Sequence, residues 1–223
     1  MRTVDLSFPI RPHFRWKVDP QRVATHAAGD PLQSTVVTIS CHAYTHVDAP
    51  LHFLPDGRDV AAMPIDQWMG DAAVVDLSHL GANGEVSAKE LEAHAQHVRA
   101  GDIVLLRTDW PRRTDVGDPR FWTEGPFTGP TGCEWLIARG VEAVGYDYPP
   151  DYCTRDTLPS PHRRKPGREE YTTHAAFFPA GITVIEYLTN LDRIGAPRCR
   201  FIALPLALEG ADGSPVRAIA LVD

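Results

Sequence analysis

The chain has 223 residues, of which 43% are hydrophobic and 23% are charged, so we expect one globular domain over residues 1–223 with a buried core. A formal net charge of −7 at pH 7 argues against binding to nucleic acid or to an anionic membrane, and no apolar run approaches the roughly 18 residues of a membrane span. The chain opens without a signal-peptide pattern and its four cysteines form no CxxC pair, which favours a cytoplasmic protein with reduced thiols.

Short strands and helices follow one another along the chain. β-Branched and apolar runs predict strands at residues 4–7, 35–41, 74–77, 103–107, 141–146, 182–186, 201–208 and 216–222. Helices are predicted at residues 87–99 and 131–140, each opened by a capping-box pattern, and at residues 173–179. An Asp212-Gly213 turn is expected to join the last two strands as a hairpin. The pattern predicts an α/β domain in which a mixed sheet is combined with helices.

The longest irregular segment, residues 148–172, contains five prolines, His162 and the basic run Arg163-Arg164-Lys165. A stretch of this length inside a compact domain is commonly a lid, a binding loop or a mobile insertion, and a solvated surface loop explains it as well. The basic run could recognise an acidic substrate, but solvation is the interpretation that we prefer.

Three histidines and one aspartate, His42, His46, Asp48 and His52, lie within eleven residues. On a helix Asp48 would point away from His42 and His46, and Pro50 would break the helix. On a strand, residues 42, 44, 46 and 48 share one face, and the preceding β-branched run favours a strand. Two imidazoles and a carboxylate that converge in this way predict a site for zinc or manganese, and iron would also fit. The alternative is a satisfied polar core or an exposed histidine-rich turn.

Three further residues are candidates for the same site. His52 follows the proline and is either another ligand or a free imidazole that carries protons near neutral pH, although a supporting hydrogen bond is an alternative. Glu186 ends an apolar strand, where α/β sheets often bind ligands, and His174 lies twelve residues before it. Neither His174 nor Glu186 alone is strong evidence for a site, because His174 could cap its helix and Glu186 could face solvent.

The segment from His42 to His52 resembles the signature His-x-Gly-Thr-His-x-Asp-x-Pro-x-His of the putative cyclase superfamily, which includes bacterial kynurenine formamidase and isatin hydrolase. Further stretches resemble landmarks of this family in the same order: DLSFPI at 5–10, LLRTDW at 105–110, GVEAVGYD at 140–147 and HAAFFPAGITVIEYLTNL at 174–191. The resemblance therefore covers nearly the whole chain.

This resemblance implies a swivelling β/β/α domain that is usually a homodimer or higher homo-oligomer. It implies one or two metal ions held by five ligands, with the aspartate bridging, and a histidine that acts as general acid and base. The implied ligands are His42, His46, Asp48, His174 and Glu186, and the implied acid and base is His52. In the family, the N-terminal stretch of a neighbouring subunit approaches the pocket. Phe14 and Trp16 would then be substrate walls, with core or dimer packing as an equal alternative.

Two departures from the family pattern concern the substrate. Tyr44 replaces the glycine of the signature, and strand alternation would turn its phenol toward the metal, where it could fill space or donate a hydrogen bond to the substrate. The segment before His174 is longer and more basic than we expect for the formamidases. Both changes put kynurenine and isatin substrates in question without affecting hydrolysis.

The residues and the resemblance together predict a metal-dependent hydrolase that opens a small amide, formamide, cyclic imide or lactone. Water activated by the metal attacks, and His52 carries the proton. A cyclase or dehydratase with the same site is one alternative, and a non-catalytic metal-binding protein in which Tyr44 closes the open coordination position is another. The sequence has no GxSxG, Walker, GxGxxG or HExxH motif that would indicate other chemistry.

Overall fold

A nine-stranded mixed sheet forms the centre of the computed structural model, which describes residues 1–159 and 163–222. His162 therefore lies outside the described residues. The strands are β1 (Arg2–Asp5), β2 (Val18–Ala24), β3 (Ser34–Ile39), β4 (His46–Asp48), β5 (Met69–Asp76), β6 (Glu85–Val86), β7 (Ile103–Arg107), β8 (Phe127–Thr128), β9 (Ala143–Tyr146), β10 (Thr183–Glu186), β11 (Arg198–Ile202), β12 (Gly213–Pro215) and β13 (Ile219–Val222). The helices are α1 (Ala88–His94), α2 (Trp110–Arg113), α3 (Pro119–Thr123), α4 (Pro130–Arg139) and α5 (Thr172–Phe177).

The order of strands in the large sheet is β1-β13-β11-β5-β7-β9-β10-β4-β12. Its central strands β5, β7, β9 and β10 are parallel, and the strands that flank them on both sides are antiparallel. β2 and β3 form a separate hairpin, and β6 pairs with β8. The predicted mixed α/β fold is confirmed. Within the described ranges, no helix has both the length and the apolar character that crossing a membrane requires.

Both faces of the central strands are buried. Along β5, Val74 belongs to the hydrophobic cluster on one face and Val75 to the cluster on the other. Leu91 of α1, Leu136 of α4 and Phe177 of α5 belong to the same cluster as Val75, so these helices cover that face. Because both faces are covered, the central strands are continuous apolar runs rather than alternating ones, which is why the sequence predicted them well.

The helices begin and end near the predicted positions, with two differences. Ser87 caps α1 through a hydrogen bond from the Glu90 amide, as the capping box predicted, but the helix ends at His94. α4 begins directly after Gly129, so Thr131 lies inside the helix and its hydroxyl accepts a hydrogen bond from the amide of Ala88. The capping-box interpretation of this second helix was therefore wrong.

The turn that was predicted to join the last two strands as a hairpin was also wrong. β11 and β13 do pair antiparallel. Asp212 and Gly213, however, do not turn the chain between them, because Gly213 opens β12, which pairs with β4 at the opposite edge of the sheet. The predicted strand at residues 35–41 is β3, and its partner β2 was not predicted.

A buried ion pair ties β11 to the segment before β7. Arg198 donates to both carboxylate oxygens of Asp102, at 2.8 and 2.6 Å, and the Arg99 amide donates to the same carboxylate. Burial would raise the pKa of Asp102, but these partners outweigh it and lower that pKa. The stabilisation is therefore present at neutral pH and is lost as the pH falls below about 4.

We expect Asp102→Asn to reduce the free energy of unfolding at pH 7 by about 1–3 kcal/mol, and by less at pH 3, where the wild-type carboxyl is itself becoming protonated. Urea denaturation at both pH values measures this. Asp71→Asn is the matched control, because Asp71 of β5 also pairs with an arginine of β11, Arg200, but is 74% exposed. Equal losses in the two variants would contradict the expectation.

Candidate metal centre and pocket

Three side chains of the predicted cluster meet on one face of neighbouring strands. His46 of β4 lies opposite Glu186 of β10 in the antiparallel register, and Asp48 lies opposite Val184. Opposed residues and alternate residues of a strand share a face, so the side chains at 46, 48 and 186 point the same way. Each is buried, and their ligand atoms lie within 4.8 Å of one another.

His42 joins this group from a turn rather than from a strand. Residues 42–45 form a turn before β4, and Tyr44 in it has a φ of 58°, in the left-handed region. The Nδ1 atom of His42 lies 2.7 Å from Oδ1 of Asp48. The predicted convergence is therefore present, but the extended strand from 42 to 48 that explained it was wrong.

His174 approaches from α5 on the other side. Its Nε2 atom lies 3.3 Å from Oδ2 of Asp48 and 3.6 Å from Oε1 of Glu186. Its Nδ1 atom is 2.5 Å from Oδ2 of Asp151, and the Oδ1 atom of Asp151 accepts hydrogen bonds from the amide and hydroxyl of Thr173. Asp151 thus orients the ring so that Nε2 faces Asp48 and Glu186.

His46 is oriented in a similar way by the main chain. Its Nδ1–H donates to the carbonyl of Tyr44 at 2.7 Å, which leaves Nε2 facing Asp48 at 3.1 Å and Glu186 at 3.8 Å. A hydrogen bond on one ring nitrogen that directs the other nitrogen inward is the arrangement found for metal-binding histidines.

The electrostatics of the group suit a cation. Burial alone would lower the pKa of His42, but the carboxylates of Asp48 and Asp212 outweigh it and raise that pKa to about 10. Burial would raise the pKa of Asp48, but the neighbouring imidazoles outweigh burial and hold that pKa well below its usual range. Carboxylates buried this deeply need positive charge beside them, which protonated imidazoles or a bound cation supply. Three imidazoles and two carboxylates fit a divalent first-row metal.

A second group with the right atoms lies on the surface. His79, Glu90 and His94 bring one ligand atom each within 4.8 Å, but both histidine side chains are more than 40% exposed. Exposed ligands that also contact water hold a metal less firmly than buried ones. The buried group is therefore the candidate centre.

His52 stands at the edge of the buried group, and Asp212 connects it to His42. Oδ2 of Asp212 lies 3.1 Å from Nδ1 of His52 and 2.9 Å from Nε2 of His42, and the two imidazole rings are 3.9 Å apart. His52 is near enough to Asp48 to be a ligand and sufficiently exposed to exchange protons with solvent. Both interpretations from the sequence remain compatible with this position.

These side chains open into a cavity of about 300 Å³. It is lined by Arg15, Trp16, His42, His46, Asp48, His52, Asp151, Thr154, Thr157, Pro159, Arg163, Tyr171, His174, Glu186 and Tyr187. Trp16 of the chain itself is one of the walls, and its ring lies 5.6 Å from that of Tyr187. Phe14 is not among the lining residues. It is 44% exposed and stacks on His13.

Tyr44 does not point at the metal centre, so the expected orientation was wrong. Its left-handed backbone breaks the strand alternation on which the expectation rested. The hydroxyl donates to the carbonyl of Arg11 at 3.0 Å, and the ring packs 4.9 Å from Trp16, behind the cavity wall. The side chain is buried and supports Trp16 rather than lining the cavity.

The described part of the 148–172 segment is ordered into two short helical turns, Tyr152–Thr157 and Arg168–Glu170. Arg164 holds them together through hydrogen bonds to Asp156 and Glu170. This segment contributes Thr154, Thr157, Pro159, Arg163 and Tyr171 to the cavity lining, so it is part of the binding pocket. Arg163, Arg164 and Lys165 are all exposed, as the preferred interpretation of a solvated basic run predicted, although Arg163 also lies at the cavity.

Asp151 is expected to control metal affinity although it is not in the predicted set. Asp151→Asn removes the negative partner of His174 Nδ1 while keeping the side-chain size, so we expect the metal to bind about 10- to 100-fold more weakly. Competition with a fluorescent chelator measures this. Asp156→Asn, in the same segment but exposed and paired with Arg164, is the control and should leave the affinity unchanged.

Comparisons with known proteins identify the family of this chain. Residues 4–150 match the model of the family described as Putative cyclase. The chain belongs to this family. It is 33% identical to a kynurenine formamidase from Bacillus cereus over 183 residues, 82% of this chain and 77% of the relative. A kynurenine formamidase from Bacillus cytotoxicus is 34% identical over the same shares of the two chains.

Solved structures of the cyclase family share the fold. Isatin hydrolase A from Ralstonia solanacearum superposes with a TM-score of 0.82 at 27% identity, covering 100% of this chain and 92% of that one. An isatin hydrolase bound to the product analogue thioisatinate superposes with a TM-score of 0.81 at 21% identity, over 99% of this chain and 92% of that one. The predicted family and its fold are confirmed, and the chain is a metal-dependent hydrolase that acts on carbon–nitrogen bonds.

Proposed function

We propose that this enzyme hydrolyses a small amide at the buried centre, with an aromatic formamide as the preferred substrate class and a cyclic imide or a lactone as further candidates. The observation that carries the proposal is the buried group of His42, His46, Asp48, His174 and Glu186, which opens into a cavity with aromatic walls. The relatives named kynurenine formamidase and isatin hydrolase support hydrolysis of this kind.

The metal would be held by these five side chains as one or two ions of zinc or manganese. The carboxylate of Asp48 supports this assignment, because its two oxygens face different imidazoles, His42 and His46 on one side and His174 on the other. When bound, such a metal lowers the pKa of a coordinated water from about 15.7 toward about 7 and polarises the substrate carbonyl.

His52 would move the proton in this reaction. Its Nδ1 atom is engaged by Asp212, so Nε2 is the atom that can accept a proton from the attacking water. As the carbon–oxygen bond forms and the carbon–nitrogen bond breaks, Nε2 returns the proton to the leaving nitrogen. The products are a carboxylate and an amine. Trp16, Tyr171 and Tyr187 line the same cavity and would hold an aromatic ring of the substrate.

The proposal is tested with purified protein whose metal content has been measured without added metal. We expect zinc or manganese to copurify and formanilide to release formate, with weaker activity on phthalimide or on an aromatic lactone. Metal-replete protein without activity on any of these compounds would overturn the proposal and favour a non-catalytic metal-binding protein.

A cyclase or dehydratase reaction is the second candidate, which the family description supports. Reaction of the cyclic substrate in heavy-oxygen water separates the two, because hydrolysis places the label in the new carboxylate and a dehydration does not. The single domain, the cytoplasmic location and the homodimer or higher homo-oligomer expected from the sequence stay predictions, and sedimentation velocity measures the last of these.

A further inference from the structure

Arg15 presents an unpaired guanidinium to the cavity. One of its terminal nitrogens, Nη2, donates to the hydroxyl of Thr157 at 3.0 Å. The other, Nη1, is buried and has no hydrogen-bond partner among residues 1–159 and 163–222. In the same described ranges no carboxylate oxygen lies within 4.0 Å of this guanidinium. Its charge is thus left without a counter-charge from the part of the chain that the structure describes.

The side chain is nevertheless held in place. Its guanidinium carbon lies 4.6 Å from the centre of the Trp122 ring, so the group stacks on an aromatic surface. Burial raises the pKa of Tyr171 and of Tyr187, and the charge of Arg15 opposes this in both cases, which places the guanidinium near two other lining residues. A guanidinium fixed by stacking and by one hydrogen bond is already oriented to receive a ligand.

Acidic residues of the pocket do not supply the missing charge. The carboxylates that line it, Asp48, Asp151 and Glu186, all face the imidazole of His174. By contrast Arg164, in the segment that covers the pocket, is paired with two carboxylates. A buried donor without a partner destabilises the folded protein, and more so when it is charged, so the presence of Arg15 beside the site indicates that a ligand supplies the partner.

We infer that Arg15 binds a carboxylate of the substrate, on the part of the molecule that is not cleaved. This inference rests on the proposed function and specifies its substrate class as an acidic aromatic amide. A carboxylate matches the planar guanidinium and accepts the hydrogen bond for which Nη1 has no partner among the described residues. Arg163 lines the same cavity and adds a second positive charge.

The first test compares two substrates of nearly equal shape, 2-formamidobenzoate and the neutral 2-formamidobenzamide. We expect the wild-type enzyme to prefer the acid by about 10- to 100-fold in kcat/KM. Arg15→Met keeps the apolar stem over Trp122 but removes the charge, so the preference should fall to near one, chiefly through KM for the acid, and Arg15→Lys should restore part of it. Arg11→Met is the control, because Arg11 is exposed and pairs with Asp115 outside the cavity lining.

The second test measures binding without turnover. Calorimetry compares benzoate with benzamide on the metal-loaded wild type and on Arg15→Met. Benzoate can also contact a metal, so the quantity that counts is the loss of its affinity in the variant, expected to be about 10-fold or more. If no formamide is hydrolysed but this loss is observed, the proposed function fails and the carboxylate site stands.

Three results would overturn the inference. The first is equal use of acid and amide by the wild type. The second is an equal loss of kcat/KM for both substrates in Arg15→Met, which would show that the role of Arg15 is structural. The third is displacement of benzoate by inorganic phosphate at lower concentration than by other carboxylates, which would indicate a phosphate site.

Discussion

Replacing Asp48 by alanine is expected to remove the metal and to reduce turnover by at least about 10³-fold. Asp48 contacts all three imidazoles of the buried group, so its loss affects three of the four other side chains that could hold the ion. A reduction of this size corresponds to the several kcal/mol by which a metal stabilises the developing charge. Elemental analysis and kcat measured on the same preparation check both parts of the expectation.

Two further variants make this result specific. Asp48→Asn keeps the shape and loses the charge, so it should behave like the alanine variant. Asp71→Asn removes an exposed carboxylate on the same sheet and should change neither quantity. Metal lost from His79→Ala instead of from Asp48→Ala would place the ion at the surface group and contradict the buried centre.

The second large effect is expected at His52. His52→Ala should lower kcat by about 10²- to 10⁴-fold, the usual contribution of a general acid or base, while the metal content stays the same. Added imidazole should restore part of the rate. A variant that loses metal together with activity would show that His52 is a ligand instead.

A substitution at Asp212 tests the same role of His52 with a smaller change. Asp212→Asn leaves His52 present but removes the carboxylate that engages Nδ1, so its loss of kcat should be smaller than that of His52→Ala. His26→Ala is the control, since its exposed ring only contacts a main-chain carbonyl in a distant turn. If Asp212→Asn matched the wild type in kcat and in its pH profile, Asp212 would not position the proton carrier.

Residues that are close in sequence were predicted together for a partly incorrect reason. The spacing of His42, His46 and Asp48 indicated a shared face on one strand. In the molecule the strand contains only His46 and Asp48, and a turn through Tyr44 returns His42 to them. The chemistry of the side chains identified the cluster. The left-handed turn could not be predicted, because tyrosine rarely adopts a left-handed conformation and its presence does not indicate one.

Asp212 and Asp151, the carboxylates that contact two of the predicted histidines, were not predicted. Asp212 meets His42 across 170 positions of sequence, and its Asp-Gly pair resembled a turn. Asp151 meets His174 across 23 positions, inside a segment that had no regular pattern. Neither has a local signal of function, because a partner of a histidine is identified only when the fold brings the two together. An aspartate of that kind was nevertheless to be expected, since metal-binding histidines usually donate to a carboxylate or carbonyl.

The position of β4 has a consequence for how the enzyme is made. This strand of three residues lies between β10 and β12, which come from residues 183–186 and 213–215. His42, His46 and Asp48 leave the ribosome before the strands that hold them in register, β10 and β12, have been synthesised. Metal acquisition should therefore be a late event in the biogenesis of this enzyme, and chains released before β12 should be unable to retain the ion.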